Sequence, residues 1–186
     1  MEQECNVVVA GDGAIGAALL ENLLQRAQVQ RVLVLGRNPG RIAADQRVSH
    51  LAMDAEDAQS VQAAAAQAQE ALERVHLLIN TVGMLHTAGQ GPEKRLKALR
   101  PEHLQQSFTV NAALLPLLAQ AFAKLMRHDE PATLASLSAR VGSIEDNQLG
   151  GWYSYRASKA AHNMLLRSLA REWRVSHRNV TVVALH

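Results

Sequence analysis

Short β-branched runs alternate with longer segments of helical period along this chain, and that alternation restricts the fold more than any other feature. The runs are almost continuously apolar, as in Asn6–Ala10 (NVVVA) and Arg31–Leu35 (RVLVL). Strands of this kind are buried on both faces, which is typical of a parallel sheet covered by helices. The sequence therefore predicts an α/β fold with a doubly wound parallel sheet in three αβα layers.

The predicted elements fill the chain without a linker or an internal repeat, so residues 1–186 are expected to form one domain. A short helical stretch is also expected after the second strand. We expect strands at Asn6–Ala10, Arg31–Leu35, Val48–Met53, Val75–Ile79, Thr133–Ser138 and Asn179–Leu185, and helices at Ala14–Ala27, Glu56–Arg74, Pro101–Met126 and Tyr153–Val175.

Composition excludes several classes of protein. The lone Cys5 cannot form an internal disulfide, and no helix-length run is purely apolar. The net charge of +2 is spread along the chain, and the eight histidines form no metal-ligand motif. We therefore expect a cytoplasmic protein that has no signal peptide, no metal site, and neither a membrane nor a nucleic acid as partner.

A glycine-rich loop follows the first strand and opens a helix: Gly11-Asp12-Gly13-Ala14-Ile15-Gly16. Gly11 permits the tight turn, Gly13 lets a pyrophosphate approach the backbone, and Gly16 allows close packing of helix and strand. In this context the spacing predicts a dinucleotide site on a Rossmann-type fold. Asp12 would repel the phosphates unless its side chain points away.

The end of the second strand indicates which dinucleotide binds. An NAD site places Asp or Glu there to accept the ribose 2′-hydroxyl, whereas this chain has Arg37, 21 positions after Gly16. A guanidinium would instead pair with a 2′-phosphate, so NADP(H) is favoured over NAD(H). Arg41 could share that role; alternatively, Arg37 is a solvated surface residue.

Two further places in the sequence carry chemistry. Tyr155 and Lys159 lie four residues apart and share a helix face, where a fixed positive charge would lower the pKa of the phenol. Asn111 is a polar residue in an apolar helix, and Pro116 removes the backbone bond to Ala112. A kink there would free a carbonyl that could bind water; the alternative is a capping or surface asparagine.

Taken together, these motifs resemble the short-chain dehydrogenase/reductase family in order and in spacing. The resemblance rests on the glycine loop, Asn80-Thr81-Val82-Gly83, Asn111, Tyr155 and Lys159. The stretches Ser138–Ile144 and Gly150–Tyr155 are similar to the carbonyl-reductase-like branch related to the C-signal and sniffer proteins.

The resemblance implies a role for each matching residue. Tyr155 would be the general acid in carbonyl reduction, and Lys159 would lower its pKa and hold the nicotinamide ribose. Ser138 would bind the substrate carbonyl oxygen, and Asn111 would hold a relay water. The implied cofactor-binding set is Gly11, Gly13, Ile15, Gly16, Arg37, Asp54, Asn80, Gly83, Tyr155 and Lys159, in which Asp54 contacts adenine or, alternatively, only caps a helix.

The sequence departs from the family pattern in three places. The glycine loop is one residue shorter than Thr-Gly-x-x-x-Gly-x-Gly. The position three before Gly142 is Ala139 rather than serine, so Ser138 is the expected catalytic serine and Ser143 the alternative. After His186 the family normally continues with a substrate segment, a strand and a helix.

The sequence leaves two functions open. The first is an NADP(H)-dependent oxidoreductase acting on a carbonyl or secondary alcohol; the second is an NADP(H)-binding sensor or signalling protein with little or no catalysis. The resemblance also implies a small-molecule substrate and a homodimer or homotetramer, formed through the helices around Leu114–Leu125 and Met164–Trp173.

Overall fold

The computed structural model describes residues 4–38, 45–86, 89 and 91–186. The strands are β1 (Cys5–Ala10), β2 (Val29–Gly36), β3 (Val48–Ala52), β4 (Leu77–Asn80), β5 (Ala132–Leu137) and β6 (Val180–Leu185). The helices are α1 (Ala14–Leu24), α2 (Ala58–Ala71), α3 (Pro101–Phe108), α4 (Leu114–Met126) and α5 (Tyr153–Ser176).

The six strands form one sheet in the order β3-β2-β1-β4-β5-β6, and all neighbouring strands are parallel. This is the strand order of a doubly wound sheet, so the predicted fold class is confirmed. The order reverses between β1 and β4. Ligands bind such sheets in the crevice beyond the carboxyl ends of the strands at that reversal.

Strand β1 lies at the centre and is buried on both faces. Val8 and Ala10 face the core cluster that α2, α4 and α5 complete, whereas Val7 and Val9 face the cluster that α1 completes. All four side chains are at most 1% exposed. Because successive side chains of a strand point to opposite faces, β1 contributes to both cores, as the apolar run in the sequence predicts.

The helix ends differ from the predicted ones for local reasons. Helix α1 ends at Leu24 because the chain turns tightly there, with the Arg26 N–H bonded to Leu23 O at 3.0 Å. Helix α2 begins at Ala58 because the Asp57 carboxylate accepts the Gln59 N–H and caps it. The short helical stretch expected after β2, and Arg41 with it, lie outside the described residues.

The predicted long helix contains one π turn, Thr109–Ala113, between α3 and α4. Here the Leu114 N–H donates to Thr109 O, five residues back. With this spacing the donor to Asn111 O would be residue 116, which is a proline without an N–H. Pro116 therefore supplies no backbone donor to this part of the helix, neither to Ala112 O at the ordinary spacing nor to Asn111 O at the π spacing.

The continuous stretch Pro101–Met126 is long and apolar enough to cross a membrane by length and composition. In the fold it is a core element: Leu114, Leu118, Phe122 and Met126 are at most 1% exposed. They pack in the cluster shared with α2 and β5. Its hydropathy is explained by burial inside the protein.

The glycine loop is fixed to the neighbouring strand end by close backbone contacts. A Cβ at residue 16 would overlap Gly11 O, and a Cβ at Gly11, whose φ is +117°, would overlap Thr81 Oγ1. A Cβ at Gly13 would meet no described atom within 4 Å. Gly11 and Gly16 are therefore required by packing, whereas Gly13 leaves open space in front of the loop.

Gly16→Ala is expected to lower the free energy of unfolding by about 1–3 kcal/mol, because the added methyl group overpacks the loop. Gly13→Ala is the matched control and should change it by less than about 1 kcal/mol. Urea unfolding of the two variants measures the difference. Equal losses would contradict the assignment of Gly16 to packing.

Candidate active site

The carboxyl ends of the strands enclose a cavity of about 550 Å³. It is lined by the glycine loop, the end of β2, the residues after β3 and the turn after β4. Four residues predicted to bind the cofactor meet here: Gly11, Arg37, Asp54 and Gly83. The parallel topology brings them together from four separate strand ends.

The start of α1 leaves backbone donors available. Gly13 is the N-cap and has no side chain, so no side-chain hydrogen bond caps the helix, and the first helical bond runs from Ala17 N–H to Gly13 O at 2.9 Å. Ile15 is 60% exposed. Free N–H groups beside open space are what a pyrophosphate requires, so this part of the chain fits a dinucleotide.

Asp12 points sideways, toward the end of β2. Its carboxyl group packs on the Cα of Gly36, where any Cβ would overlap it, and it accepts the backbone N–H of Asn38. Arg37 is exposed on the same cavity. No ion pair joins Arg37 to Asp12 in the described part of the chain.

Asn80 and Asp54, two further residues of the implied cofactor-binding set, form hydrogen bonds within the protein. The Asn80 side chain donates to Ser136 Oγ (3.1 Å) and accepts the Val82 N–H (3.0 Å), so it shapes the turn that follows β4. Asp54 accepts the Glu56 N–H at 3.0 Å and also borders the cavity. Asp54 thus has both the position expected of an adenine contact and a local structural bond.

Gly83 connects the cavity to the second part of the site. A Cβ there would lie 3.7 Å from Asn111 Oδ1 and 3.7 Å from Lys159 Nζ. The turn after β4 therefore passes directly over the two polar groups that the sequence placed at the catalytic end. The predicted cofactor site therefore adjoins two of the predicted catalytic residues, Asn111 and Lys159.

Tyr155 and Lys159 share a face of α5, with Lys159 Nζ 5.9 Å from the centre of the phenol ring. Lys159 is 3% exposed, and its ammonium group donates to Leu137 O at 2.8 Å. Burial lowers the pKa of Lys159 from its ordinary 10.5 to about 8 and raises the pKa of Tyr155.

The pKa of Tyr155 therefore shifts in the direction opposite to the one expected from the sequence. Burial disfavours the phenolate, and the charge of Lys159 is directed at Leu137 O. In this structure the phenol keeps its proton at neutral pH.

Asn111 is 2% exposed and connects three segments. Its Oδ1 accepts the Met84 N–H (2.7 Å), and its Nδ2 donates to Met84 O (2.8 Å) and to Ser158 Oγ (3.0 Å). Ser158 in turn donates to Tyr155 O at 2.9 Å. Asn111 is thus neither a surface residue nor a helix cap. Its side chain joins the loop after β4 to α5.

His162 is a site residue that the sequence reasoning missed. It is fully buried, and its Nδ1 donates to Asn111 O, a carbonyl of the π turn, at 2.9 Å. Burial and then the charge of Lys159 lower its pKa to about 4. A neutral imidazole therefore bonds to the backbone carbonyl of Asn111, the residue that the resemblance expects to hold a relay water. Its position three residues after Lys159, on the same helix face, was the available signal.

The hydroxyl groups of the two candidate serines bond to residues other than Tyr155. Ser138 Oγ donates to Asn163 Oδ1 at 2.5 Å, and Ser143 Oγ accepts the Asp146 N–H at 3.3 Å. Both border a second cavity with Asn163 and Arg167. No hydrogen bond between either serine and Tyr155 is present among the described residues.

Glu93 is a second residue that the sequence did not identify, and its carboxylate bonds to the start of α5. Its carboxylate is 2% exposed and accepts hydrogen bonds from Ser154, near the start of α5, and contacts His103 Nδ1 at 3.0 Å. Burial alone would raise the pKa of Glu93, but these bonds outweigh it and the pKa is lowered. Trp152, with φ +51°, donates its N–H to Glu93 O. An acid within a polar loop gave no sign of burial.

A histidine and glutamate cluster lies at the opposite edge of the sheet. Potential ligand atoms of His76, His128 and Glu130 lie within 4.8 Å of one another, a grouping that the sequence did not predict. The Asn6 N–H, however, donates to His76 Nδ1 (3.0 Å), so the proton lies on Nε2, which contacts Glu130 at 2.7 Å. In this bonding His76 donates a hydrogen bond to Glu130, and Nε2 has no lone pair available to a metal.

Comparisons with known proteins agree with this geometry. The family model for short chain dehydrogenases matches residues 4–186. The C-signal protein of Myxococcus xanthus is 39% identical over 72 residues, which are 38% of this chain and 43% of that protein. The chain thus aligns with less than half the length of the curated relatives it matches.

Two solved structures are similar over 99% of this chain. The NADPH-bound carbonyl reductase from chicken fatty liver is 26% identical, with a TM-score of 0.87 and 76% of its own chain covered. The carbonyl reductase Sniffer of D. melanogaster is 21% identical, with a TM-score of 0.88 and 80% covered. The resemblance inferred from the motifs is therefore confirmed.

Lys159→Met is expected to raise the free energy of unfolding at pH 7 by about 1–3 kcal/mol, because it removes a buried charge. Below pH 8 folded and unfolded chains both carry the ammonium. Between about 8 and 10.5 only the unfolded chain retains that proton, so the unsubstituted protein gains stability and the difference between the two proteins shrinks.

Urea unfolding of both proteins from pH 7 to 10.5 measures this. Lys124→Met, at an exposed position of α4, is the matched control and should show no such convergence. A Lys159→Met difference that does not vary with pH would contradict the burial argument.

Proposed function

Because the chain belongs to the short chain dehydrogenase family, we propose that it is an NADP(H)-dependent oxidoreductase acting on a carbonyl or secondary alcohol. The observation that carries the proposal is the position of Gly83, which joins the dinucleotide cavity to Lys159 and Asn111. Tyr155 lies on the same helix face as Lys159. A cofactor lying along the cavity would end beside the proton donor.

The residues of the chain supply the proton chemistry. A bound nicotinamide would supply the hydride that reduces the carbonyl carbon. The Tyr155 hydroxyl donates its proton to the carbonyl oxygen, so one O–H bond breaks as another forms, and the reverse occurs in alcohol oxidation. The resemblance gives Lys159 the role of stabilising the phenolate that remains, and in this structure its ammonium group lies 5.9 Å from the centre of the phenol ring and donates to Leu137 O. Because burial raises the pKa of Tyr155, the free protein carries the proton that reduction consumes.

Arg37 supports NADP(H) as the cofactor. It is the cationic residue at the end of β2, is exposed on the cavity, and can meet a 2′-phosphate with a charge-assisted bond. The similar chicken carbonyl reductase was solved with NADPH bound.

The proposed setting is a cytoplasmic homodimer or homotetramer acting on a small molecule. Apolar side chains remain exposed on α5, one of the two helices expected at the subunit contact, where Met164 is 66% and Leu165 37% exposed; Phe108, at the end of the neighbouring α3, is 38% exposed. Exposed apolar groups on adjacent helices favour association with a second copy.

One observation favours the second candidate, a cofactor-binding sensor with little catalysis. Ala139 lies at the family's serine position, and the neighbouring Ser138 donates to Asn163. Without a hydroxyl on the substrate oxygen, polarisation of the carbonyl would depend on Tyr155 alone.

Tyr155→Phe is expected to lower carbonyl reduction at least about 100-fold, because the proton donor is removed. Cofactor affinity should change less than about threefold. NADPH oxidation with a panel of aldehydes and ketones, together with a fluorescence titration of NADPH, measures both quantities.

Tyr153→Phe is the matched control, since that hydroxyl belongs to the same helix but lines a different cavity. It should retain turnover. Full activity in Tyr155→Phe would refute the assignment of the proton donor. Tight NADPH binding with no turnover by the unsubstituted protein would favour the sensor.

Arg37→Asp is expected to weaken NADPH binding at least about tenfold while leaving NADH binding within about threefold, because the 2′-phosphate loses its cation and meets a carboxylate. Fluorescence titrations with both cofactors measure the ratio. Arg31→Asp is the matched control. Arg31 is exposed on β2 and lines a different cavity, so this substitution changes the net charge equally and should leave the ratio unchanged. An unchanged ratio in Arg37→Asp would remove the basis for NADP(H) preference.

A further inference from the structure

Asp12 occupies the place where an adenosine 2′-phosphate would be expected to bind. Its carboxylate accepts the Asn38 N–H just beyond β2 and packs on Gly36, and Arg37 lies between these two residues in the chain. A backbone N–H beside an arginine at the end of β2 is an anion site. In this chain that N–H is already bonded to an anion of the protein itself.

The arrangement depends on two small features of the sequence. Gly36 leaves the space that the carboxyl group fills, since a Cβ there would overlap it. The glycine loop is anchored by the packing of Gly11 against Thr81 and Gly16, which fixes the backbone from which Asp12 projects. Asp12 is therefore held toward β2, and the free N–H groups of α1 remain available to a pyrophosphate.

The carboxyl groups that line the cavity also oppose the binding of a 2′-phosphate. Among the described residues that line the cavity, Asp12, Asp54 and Glu56 carry carboxyl groups and Arg37 carries a guanidinium group. Asp54 accepts a backbone N–H, and Glu56 accepts the Gln106 amide. Asp12 is the one that bonds to the backbone beside Arg37, so it is the carboxylate that a 2′-phosphate would have to displace.

We propose that Asp12 determines cofactor selectivity, competing with the 2′-phosphate of NADP(H) for the anion site at the end of β2. This inference rests on the proposed function. Arg37 attracts the phosphate and Asp12 opposes it, so the preference for NADP(H) is smaller than Arg37 alone would give. NAD(H), which has a hydroxyl there, meets no such repulsion and can donate a hydrogen bond to the carboxylate.

The test is the affinity of the purified chain for NADPH and for NADH, measured by fluorescence titration at low and high salt. Asp12→Asn keeps the size of the side chain and an acceptor for the Asn38 N–H but removes the charge. It should tighten NADPH binding about tenfold at low salt, because one like charge is removed beside the phosphate. NADH binding should change less than about threefold.

Salt separates charge repulsion from a change of shape. The gain for NADPH in Asp12→Asn should shrink as the ionic strength rises, since screening weakens the repulsion in the unsubstituted protein. A purely structural effect of the loop would alter both cofactors alike and would not depend on salt. Asp12→Ser, a second neutral variant, should show the same selectivity change.

Glu56→Gln is the matched control, because it removes the same charge from the same cavity at a residue bonded to Gln106. It should change the ratio of the two affinities less than about threefold. Unfolding midpoints of all variants verify that each is folded.

The outcomes separate the two proposals. If the unsubstituted protein binds both cofactors and Asp12→Asn leaves their ratio unchanged, or if Glu56→Gln alters it equally, the role of Asp12 is overturned and the proposed function stands. If the unsubstituted protein binds neither cofactor, both proposals fall.

Discussion

The parallel direction of all six strands is the constraint on which the rest of the structure depends. Each strand must be followed by a crossover, so the chain returns repeatedly to the same edge of the sheet. The glycine loop, the end of β2 and the turn at Gly83 therefore meet at one cavity. Strand β1, buried on both faces, holds this edge in place because both cores pack against it.

Buried polar groups around α5 bond to one another. His162 donates to Asn111 O in the π turn, and the Asn111 side chain joins Met84 to Ser158. An unpaired buried carbonyl or amide would cost about 1–3 kcal/mol. These bonds fix the π turn against α5. The same burial shifts the pKa values of Lys159 and His162 toward their neutral forms.

At the other end of the cavity, electrostatics rather than packing defines the chemistry. Arg37 and Asp12 carry opposite charges and line the same cavity, and Asp12 accepts the Asn38 N–H. A phosphate favours the first and is repelled by the second. Under the proposed function, cofactor selectivity is a balance between these two groups, and Gly36 leaves room for the carboxyl group beside the strand.

The sequence by itself determined the alternation of elements, the doubly wound fold, the glycine loop and the Tyr155 and Lys159 pair, because each depends on local spacing along the chain. Only the tertiary structure decided what those groups meet. Asp12 is directed to β2 rather than to the phosphates, Ser138 to Asn163, and Glu93 into the start of α5. Hydrogen bonds between distant segments, and the burial that shifts the pKa of Tyr155 upward, depend on how elements pack, which no local pattern encodes.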